Sequence, residues 1–260
     1  MKKTLIALAV AASAAVSGSA IAGDWVEGGS GGRVDFGGTL SPQASSGNPW
    51  EVKIGDAVNN LDATVDKSGV SAVVSLTQDI SILSLRDSGV FSGRAGIAPQ
   101  INYNGTVAIN SFENGYAPLT LDVNDSNGNK IGTATTSVFV IAQASNKATT
   151  IKDSGINSMY ASAPGYAFFG GIGTASTAIA SYGSGASFAF VADASANYSE
   201  QGLPVATGKG QGPLATTTSS YSAFYASGIE KSKTIEISLE NPVTGSVSWK
   251  ASLPIVVTYA

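Results

Sequence analysis

The end of the chain alternates between apolar and mostly polar side chains with the period of a β-strand. Apolar side chains occupy every odd position of residues 247–259: Val247, Trp249, Ala251, Leu253, Ile255, Val257 and Tyr259. Successive side chains of a strand point to opposite faces of a sheet, so all of these would share one face. We therefore expect one long strand over residues 247–259 that covers a hydrophobic core.

Similar period-2 runs, separated by turn residues, recur through the rest of the chain. Clear examples lie at residues 73–76, 80–85, 100–103, 106–109, 119–123, 131–141 and 235–239. Asn-Gly pairs at residues 104–105 and 127–128 suit two-residue hairpin turns, which require positive φ. This pattern predicts an all-β fold, either a sandwich or a barrel.

The N-terminus has the features of a secretory signal peptide. Lys2 and Lys3 precede a mainly apolar run, and the small residues Ala20 and Ala22 flank Ile21 as in a cleavage site. We interpret residues 1–22 as the signal peptide of an exported protein. Because the signal contains two lysines and no acid, its removal makes the net charge of −4 more negative.

Composition excludes several classes of function. The chain contains neither His nor Cys, so Ser-His-Asp and Cys-His nucleophiles and the usual zinc and haem sites are impossible. The acidic balance opposes binding to phosphate backbones, which argues against a nucleic-acid partner. We predict that the protein is not an enzyme, and that it has no catalytic residue, cofactor or metal site.

A second half-apolar strand follows the signal peptide. After a glycine-rich run at residues 28–32, Val34, Phe36, Gly38 and Leu40 occupy alternate positions. They would share one face of a strand on a flexible tether. Such an arm need not fold into the domain of its own chain.

These two ends together resemble the subunits of chaperone-usher fimbriae. The shared features are the signal peptide, the arm with Val34, Phe36, Gly38 and Leu40, and the ending from Pro254 to the penultimate Tyr259. The likeness is greatest to the long, cysteine-free subunits of Fae-type (kappa class) fimbriae, and it covers roughly the first forty and last thirty residues.

The resemblance implies an incomplete immunoglobulin-like β-sandwich that a donor strand from a neighbouring subunit completes. Residues 23–40 would be the donor-strand arm and residues 41–260 the pilin domain. Val34, Phe36 and Leu40 would fill pockets, and Gly38 would fit where the groove is shallow.

The strand that pairs first with a periplasmic chaperone and then with the donor would contain Val247, Trp249, Leu253, Ile255, Val257 and Tyr259. An outer-membrane usher and other fimbrial subunits would be further partners, and the product would be a cell-surface fimbria. Family members often carry a glycine where this chain has Val247, which affects the start of the strand.

Residues 156–192 have a different texture, rich in Ala, Gly and Ser with interspersed aromatic residues. We interpret them as an insertion in the sandwich whose conformation the periodicity leaves open. Fae-type major subunits are themselves adhesins, so Tyr160, Tyr166 and Tyr182 are candidates for stacking on host glycans; core packing is the alternative for these aromatic rings. The other alternative function is an outer-membrane β-barrel protein, although such chains usually end on an aromatic residue and Ala260 follows Tyr259.

Overall fold

Short strands joined by turns form almost the whole of the computed structural model. It describes residues 47–204 and 208–260 and, in the N-terminal region, the backbone of Ala7–Leu8. The predicted arm with Val34, Phe36, Gly38 and Leu40 lies outside the described residues, as does the predicted cleavage site. No helix within the described ranges has the length and apolar character needed to cross a membrane.

The strands are β1 (Ala7–Leu8), β2 (Trp50–Ile54), β3 (Ser71–Ser75), β4 (Ile80–Asp87), β5 (Phe91–Ser92), β6 (Pro99–Asn102), β7 (Tyr116–Asn124), β8 (Lys130–Lys147), β9 (Gly155–Met159), β10 (Gly208–Gly210), β11 (Ser220–Ile229), β12 (Thr234–Leu239), β13 (Lys250–Ala251) and β14 (Val256–Tyr259). The helix α1 spans Ala189–Ala194, and two 3-10 helices span Ile109–Ser111 and Ile151–Asp153.

The larger sheet has the order β2–β4–β11–β8–β9–β10. All neighbours along it are antiparallel except β9 and β10, which are parallel. β8 is long enough to reach two sets of partners: its first half pairs with β7 and β12, and its second half pairs with β11 and β9. A smaller sheet contains β6 and β14. The chain thus has the predicted all-β, immunoglobulin-like fold.

The main hydrophobic core lies between these sheets. Its largest fully buried side chains include Tyr225, Phe168, Leu83 and Leu85. The hydroxyl of Tyr225 lies 2.8 Å from that of Tyr103, which is also 2.9 Å from the hydroxyl oxygen of Ser227. Because these groups are buried, their mutual hydrogen bonds remove the cost of desolvating them and connect the two sheets.

The hairpin of β7 and β8 follows the turn chemistry of the sequence. Gly128 adopts φ +85°, and its N–H donates to the carbonyl of Asp125 at 3.1 Å. The Asp125 carboxylate accepts hydrogen bonds from the N–H groups of Asn127 and Asn129 at 2.8 and 2.9 Å. Polar side chains that satisfy local backbone groups explain why the chain reverses here.

A second, smaller core lies on the opposite face of the larger sheet. Alternate residues of β8 and β11 face the two cores: Val138 and Val140 face the main one, whereas Phe139 and Ile141 face the second. Phe190 and Val191 of α1 cover the second core and pack over β11 and β4. Burial on both faces explains the near-continuous apolar sequence of β8 after residue 137.

The segment of residues 156–192 packs against both cores, and its interpretation as an insertion stays a prediction. It begins inside β9, continues through turns over residues 160–188 and ends in α1. Its first part packs on the main core and its last part on the second core. The periodicity could not predict this because the segment forms mostly turns and changes from one face of the sheet to the other.

Candidate functional site: the edge of the C-terminal strand

The C-terminal segment forms two short strands rather than one long strand. β13 pairs with β7, and β14 pairs with β6. Pro254 lies between them and has no N–H to donate to a ladder, so pairing stops there. Val247 precedes β13, lies outside any strand and is 44% exposed. The prediction of a single strand from Val247 to Tyr259 is wrong in its extent.

Five other predicted residues of this segment face the main core. Ile255 and Val257 are buried, while Trp249, Leu253 and Tyr259 are half-buried and pack against the core. Burial raises the pKa of the Tyr259 hydroxyl above its ordinary value. The apolar face of β14 is thus directed inward.

The hydrogen bonds of β14 show which edge faces β6. Ala260 and Ala98 exchange both backbone bonds, with N···O distances of 3.0 and 3.2 Å, and Thr258 is opposite Gln100 in the same register. In an antiparallel ladder the direction of the N–H groups alternates from residue to residue. The N–H groups of Val257 and Tyr259 must therefore point away from β6.

The edge to which they point is open in the folded body. Within residues 47–204 and 208–260, β6 is the sole strand partner of β14. The other edge pairs antiparallel with the backbone of Ala7–Leu8, in the register Ala7↔Thr258 and Leu8↔Val257. These residues lie in the predicted signal peptide, far before the first strand of the body. In the structure this edge thus pairs in an antiparallel direction with the backbone of Ala7–Leu8.

A cavity of about 440 Å³ lies on the outer face of the β6–β14 pair. Its lining includes Asn102 of β6, Val256 and Thr258 of β14, and Pro164 and Phe169 of residues 164–171, which we call the wall segment. None of the described lining residues carries a charge. Buried apolar residues, among them Ile101 and Val107, also line it, so the cavity is mainly apolar with one half-buried aromatic ring and a few uncharged polar groups.

The three tyrosines proposed for glycan binding do not form one platform. Tyr160 and Tyr166 are half-buried and pack against the main core. Tyr182 instead donates its hydroxyl hydrogen to the carboxylate of Glu200, and burial together with this bond raises its pKa to about 12. Glu200 follows soon after Tyr198, which packs on the second core. The segment changes faces between these residues, which separates Tyr182 from the other two.

Comparisons with known proteins agree with this architecture. The family model described as fimbrial, major and minor subunit matches residues 1–260. The chain belongs to this family of fimbrial subunits. It is 30% identical to K88 fimbrial protein AB of Escherichia coli over 292 residues, which cover 100% of both chains. It is also 28% identical to K88 fimbrial protein AC and 29% identical to F41 fimbrial protein of the same organism, each again covering 100% of both chains.

Membership of the family establishes the general role of the protein. The chain is a structural subunit of a surface fimbria, where it assembles with other fimbrial subunits, and it is not an enzyme. The resemblance inferred from its two ends is confirmed across the whole chain.

Sequence reasoning missed the residues of β6 that hold β14 in place. The alternation at residues 100–103 predicted a strand, and β6 is found at Pro99–Asn102. Nothing in the local pattern, however, connected Gln100 with Thr258. Pairing between residues so distant in the chain depends on the whole fold and has no local signal.

Proposed function

We propose that this fimbrial subunit polymerises by strand addition at the open edge of β14, and that the arm of residues 23–40 from a neighbouring subunit supplies the strand. The observation that carries the proposal is the direction of the Val257 and Tyr259 N–H groups, which point to an edge without a partner from residues 47–204 and 208–260. Such an edge is a template for pairing with another chain.

The composition of the arm suits this role. Val34, Phe36 and Leu40 would insert into the core beside β14, and Gly38 would lie where the neighbouring backbone approaches closely. Burying three such side chains contributes about 1.5–3 kcal/mol each, and each backbone bond adds about 1 kcal/mol. The gross stabilisation is on the order of 10 kcal/mol. Ordering the glycine tether costs conformational entropy and reduces this stabilisation. This range suits a durable polymer.

An uncovered edge needs protection before assembly. We assign this protection to a periplasmic chaperone that pairs with β14 until the donor arm replaces it, and subunit export to an outer-membrane usher. Residues 1–22 would direct the chain to the periplasm and be removed there. The Ala7–Leu8 backbone on the β14 edge would then leave, and the edge would be free for the chaperone.

The test compares the mature chain alone with a chain in which residues 32–40 are repeated after Ala260 through a short linker. We expect the first to aggregate or be degraded because its edge is uncovered. The second should be a monomer that unfolds cooperatively. A mature chain that is monomeric and unfolds cooperatively without any added strand would refute the proposal.

Single substitutions in the arm test its identity as the donor. Gly38→Leu adds a large side chain on the inward face and should block SDS-resistant oligomers when chaperone complexes are mixed with an acceptor subunit. Asp35→Ser, on the opposite face, is the matched control and should polymerise normally. Normal oligomer ladders from Gly38→Leu would show that another segment is the donor.

An adhesive role towards host glycoconjugates is a second proposal. The cavity on the outer face of β6 and β14 favours it, because Phe169, which packs against the main core as Tyr160 and Tyr166 do, also lines this cavity beside the uncharged polar groups of Asn102 and Thr258. Rings of neutral sugars bind to such combinations of an apolar surface and hydrogen-bonding groups. The separation of Tyr182 from Tyr160 and Tyr166 argues against a site built from all three.

The adhesion test compares Phe169→Ala with Tyr160→Ala, Tyr166→Ala and Tyr182→Ala in assembled fimbriae bound to host cells. We expect Phe169→Ala to lower binding at an unchanged yield of polymer, and the three tyrosine variants to have smaller effects. Binding unchanged in all four variants would leave the protein with a scaffold role alone.

A further inference from the structure

The wall segment of the cavity is attached to the strand that holds β14. The N–H of Ile101 in β6 donates to the carbonyl of Phe169 at 2.8 Å, and the N–H of Phe168 donates to the carbonyl of Pro99 at 2.6 Å. The N–H of Ile101 points away from β14, in agreement with the ladder alternation described above. β6 therefore lies between β14 on one edge and the wall segment on the other.

Gln100 adds a side-chain clamp at the same place. Its Nε2 donates to the carbonyl of Tyr166 at 2.9 Å, and its Oε1 accepts from the N–H of Gly165 at 3.0 Å. The same Nε2 is also within hydrogen-bonding distance of the carbonyls of Ala98 and Pro99. Gln100, which lies opposite Thr258 of β14, thus bonds with both a donor and an acceptor of the wall segment.

The backbone of the wall segment is held in a conformation that it would not adopt alone. Phe168 has φ +67°, in the left-handed region that bulky residues rarely occupy, yet its ring is fully buried between Trp50 and Tyr225 at centroid distances of 5.5 and 5.6 Å. Gly170 has φ +82°, and a Cβ atom there would lie 2.1 Å from the carbonyl oxygen of Ile101. Contacts with β6 and the core offset this strain.

We infer that strand addition at β14 orders the wall segment, so that the cavity on the outer face is complete only in an assembled subunit. This inference rests on the proposed polymerisation mechanism. β14 is a four-residue strand with one partner in the body. A donor strand gives it a second partner and suppresses opening of the β14–β6 pair. The strained wall segment takes most of its hydrogen bonds from β6, while Gly212 and Tyr225 also hold Ala167 and Gly171. Because coupling is reciprocal, a ligand that requires the ordered wall favours the complemented subunit.

Hydrogen exchange tests the coupling in two chains that both carry the C-terminal repeat of residues 32–40, one with the parental repeat and one with Leu40→Ala in the repeat, which leaves the edge covered but pairs more weakly. Slower exchange at Val257 and Tyr259 with the parental repeat reports strand addition itself. We expect slower exchange also at Gly165 and Phe168, by about tenfold, equivalent to about 1.4 kcal/mol. Protection of Val257 and Tyr259 without any change at Gly165 and Phe168 would refute the coupling alone. Unprotected Val257 and Tyr259 would refute the polymerisation mechanism.

A further variant of the complemented chain tests the clamp that connects β6 with the wall segment. Gln100→Leu removes the clamp and should speed exchange at Gly165 and Phe168 by about tenfold while Val257 stays protected. Gln211→Leu is the matched control, because the Gln211 Oε1 accepts from the N–H of Ser162 at 3.0 Å, outside β6 and the wall segment. It should affect Ser162 and leave Phe168 unchanged. Exchange at Gly165 and Phe168 that is unchanged in Gln100→Leu would contradict the role of Gln100 as a positioning residue.

Discussion

Asp87, at the end of β4, should make the folded subunit more stable in mild acid than at neutral pH. Its side chain is fully buried, and Oδ2 accepts from the N–H of Ala223 at 2.6 Å. Oδ1 has no hydrogen-bond partner among the residues that the structure describes. Burial raises the pKa of this carboxyl above its usual range, and the negative charge of Glu51 adds to the rise. Hydrogen bonds from Ser222 and from nearby backbone N–H groups oppose it.

The sign of the pH effect follows from this direction. A carboxyl with a higher pKa in the folded state holds its proton more tightly when folded. The stabilisation that protonated Asp87 contributes is complete below the pKa of the unfolded chain, about 3.9. It is lost as the pH rises through the pKa of the folded chain. Each unit of difference between the two pKa values corresponds to about 1.4 kcal/mol. An unsatisfied buried acceptor costs about 1–3 kcal/mol, and we expect the free energy of unfolding to change with pH by about this amount.

Urea unfolding of the donor-complemented subunit between about pH 4.5 and pH 7.5 measures the effect. Asp125 acts in the opposite direction because its turn hydrogen bonds lower its pKa, so the parent and the Asp87→Asn variant are compared at each pH. The parent should lose about 1–3 kcal/mol relative to the variant as the pH rises. Asp193→Asn, which removes an exposed partner of Lys53, is the control and should retain the parental pH dependence. The same pH dependence in Asp87→Asn and the parent would refute the reasoning.

Three further substitutions test the packing of the body by urea unfolding of the complemented chain. Tyr225→Phe removes the hydroxyl that donates to the carbonyl of Gly171 at 2.9 Å and should cost about 1–3 kcal/mol; a negligible change would contradict the buried network. Gly170→Ala adds a Cβ that would overlap the carbonyl of Ile101, so it should destabilise the subunit and speed hydrogen exchange in the wall segment. Hydrogen exchange as slow as in the parent would contradict the close approach of Gly170 to Ile101. Phe190→Ala should lower the free energy of unfolding by about 3–5 kcal/mol, because α1 covers the second core. A change as small as that of a surface substitution would show that α1 does not cover this core.

The hairpin of β7 and β8 and strand β12 show how far local sequence predicts this fold. The period-2 runs at residues 119–123, 131–141 and 235–239 lie within observed strands. Gly128 has the expected positive φ, but Asn127 does not, and residues 125–129 rather than two residues connect β7 with β8, so the prediction of a two-residue turn is wrong there. Asn104 and Gly105, in contrast, both adopt positive φ, 53° and 78°. Alternation and turn chemistry depend on neighbouring residues, so a sequence contains them without knowledge of the fold.

The run at residues 106–109 shows the limit of the same pattern. It alternates as a strand does, yet Val107 makes a single bridge to Leu119 and a 3-10 helix begins at Ile109. The long β11 had no clear alternation and was missed, since its residues are buried on both faces. A strand between two cores loses the period that identifies a strand with one wet face.

The sequence by itself determined the all-β class, most strands and, through its two ends, membership of the fimbrial family. Only the tertiary structure decided that the C-terminal run breaks at Pro254, that β14 pairs with β6, and that Tyr182 lies apart from Tyr160 and Tyr166. It also decided that Asp87 is buried. These features depend on which distant surfaces pack together to bury apolar area, and that choice is a property of the whole chain that no local period records.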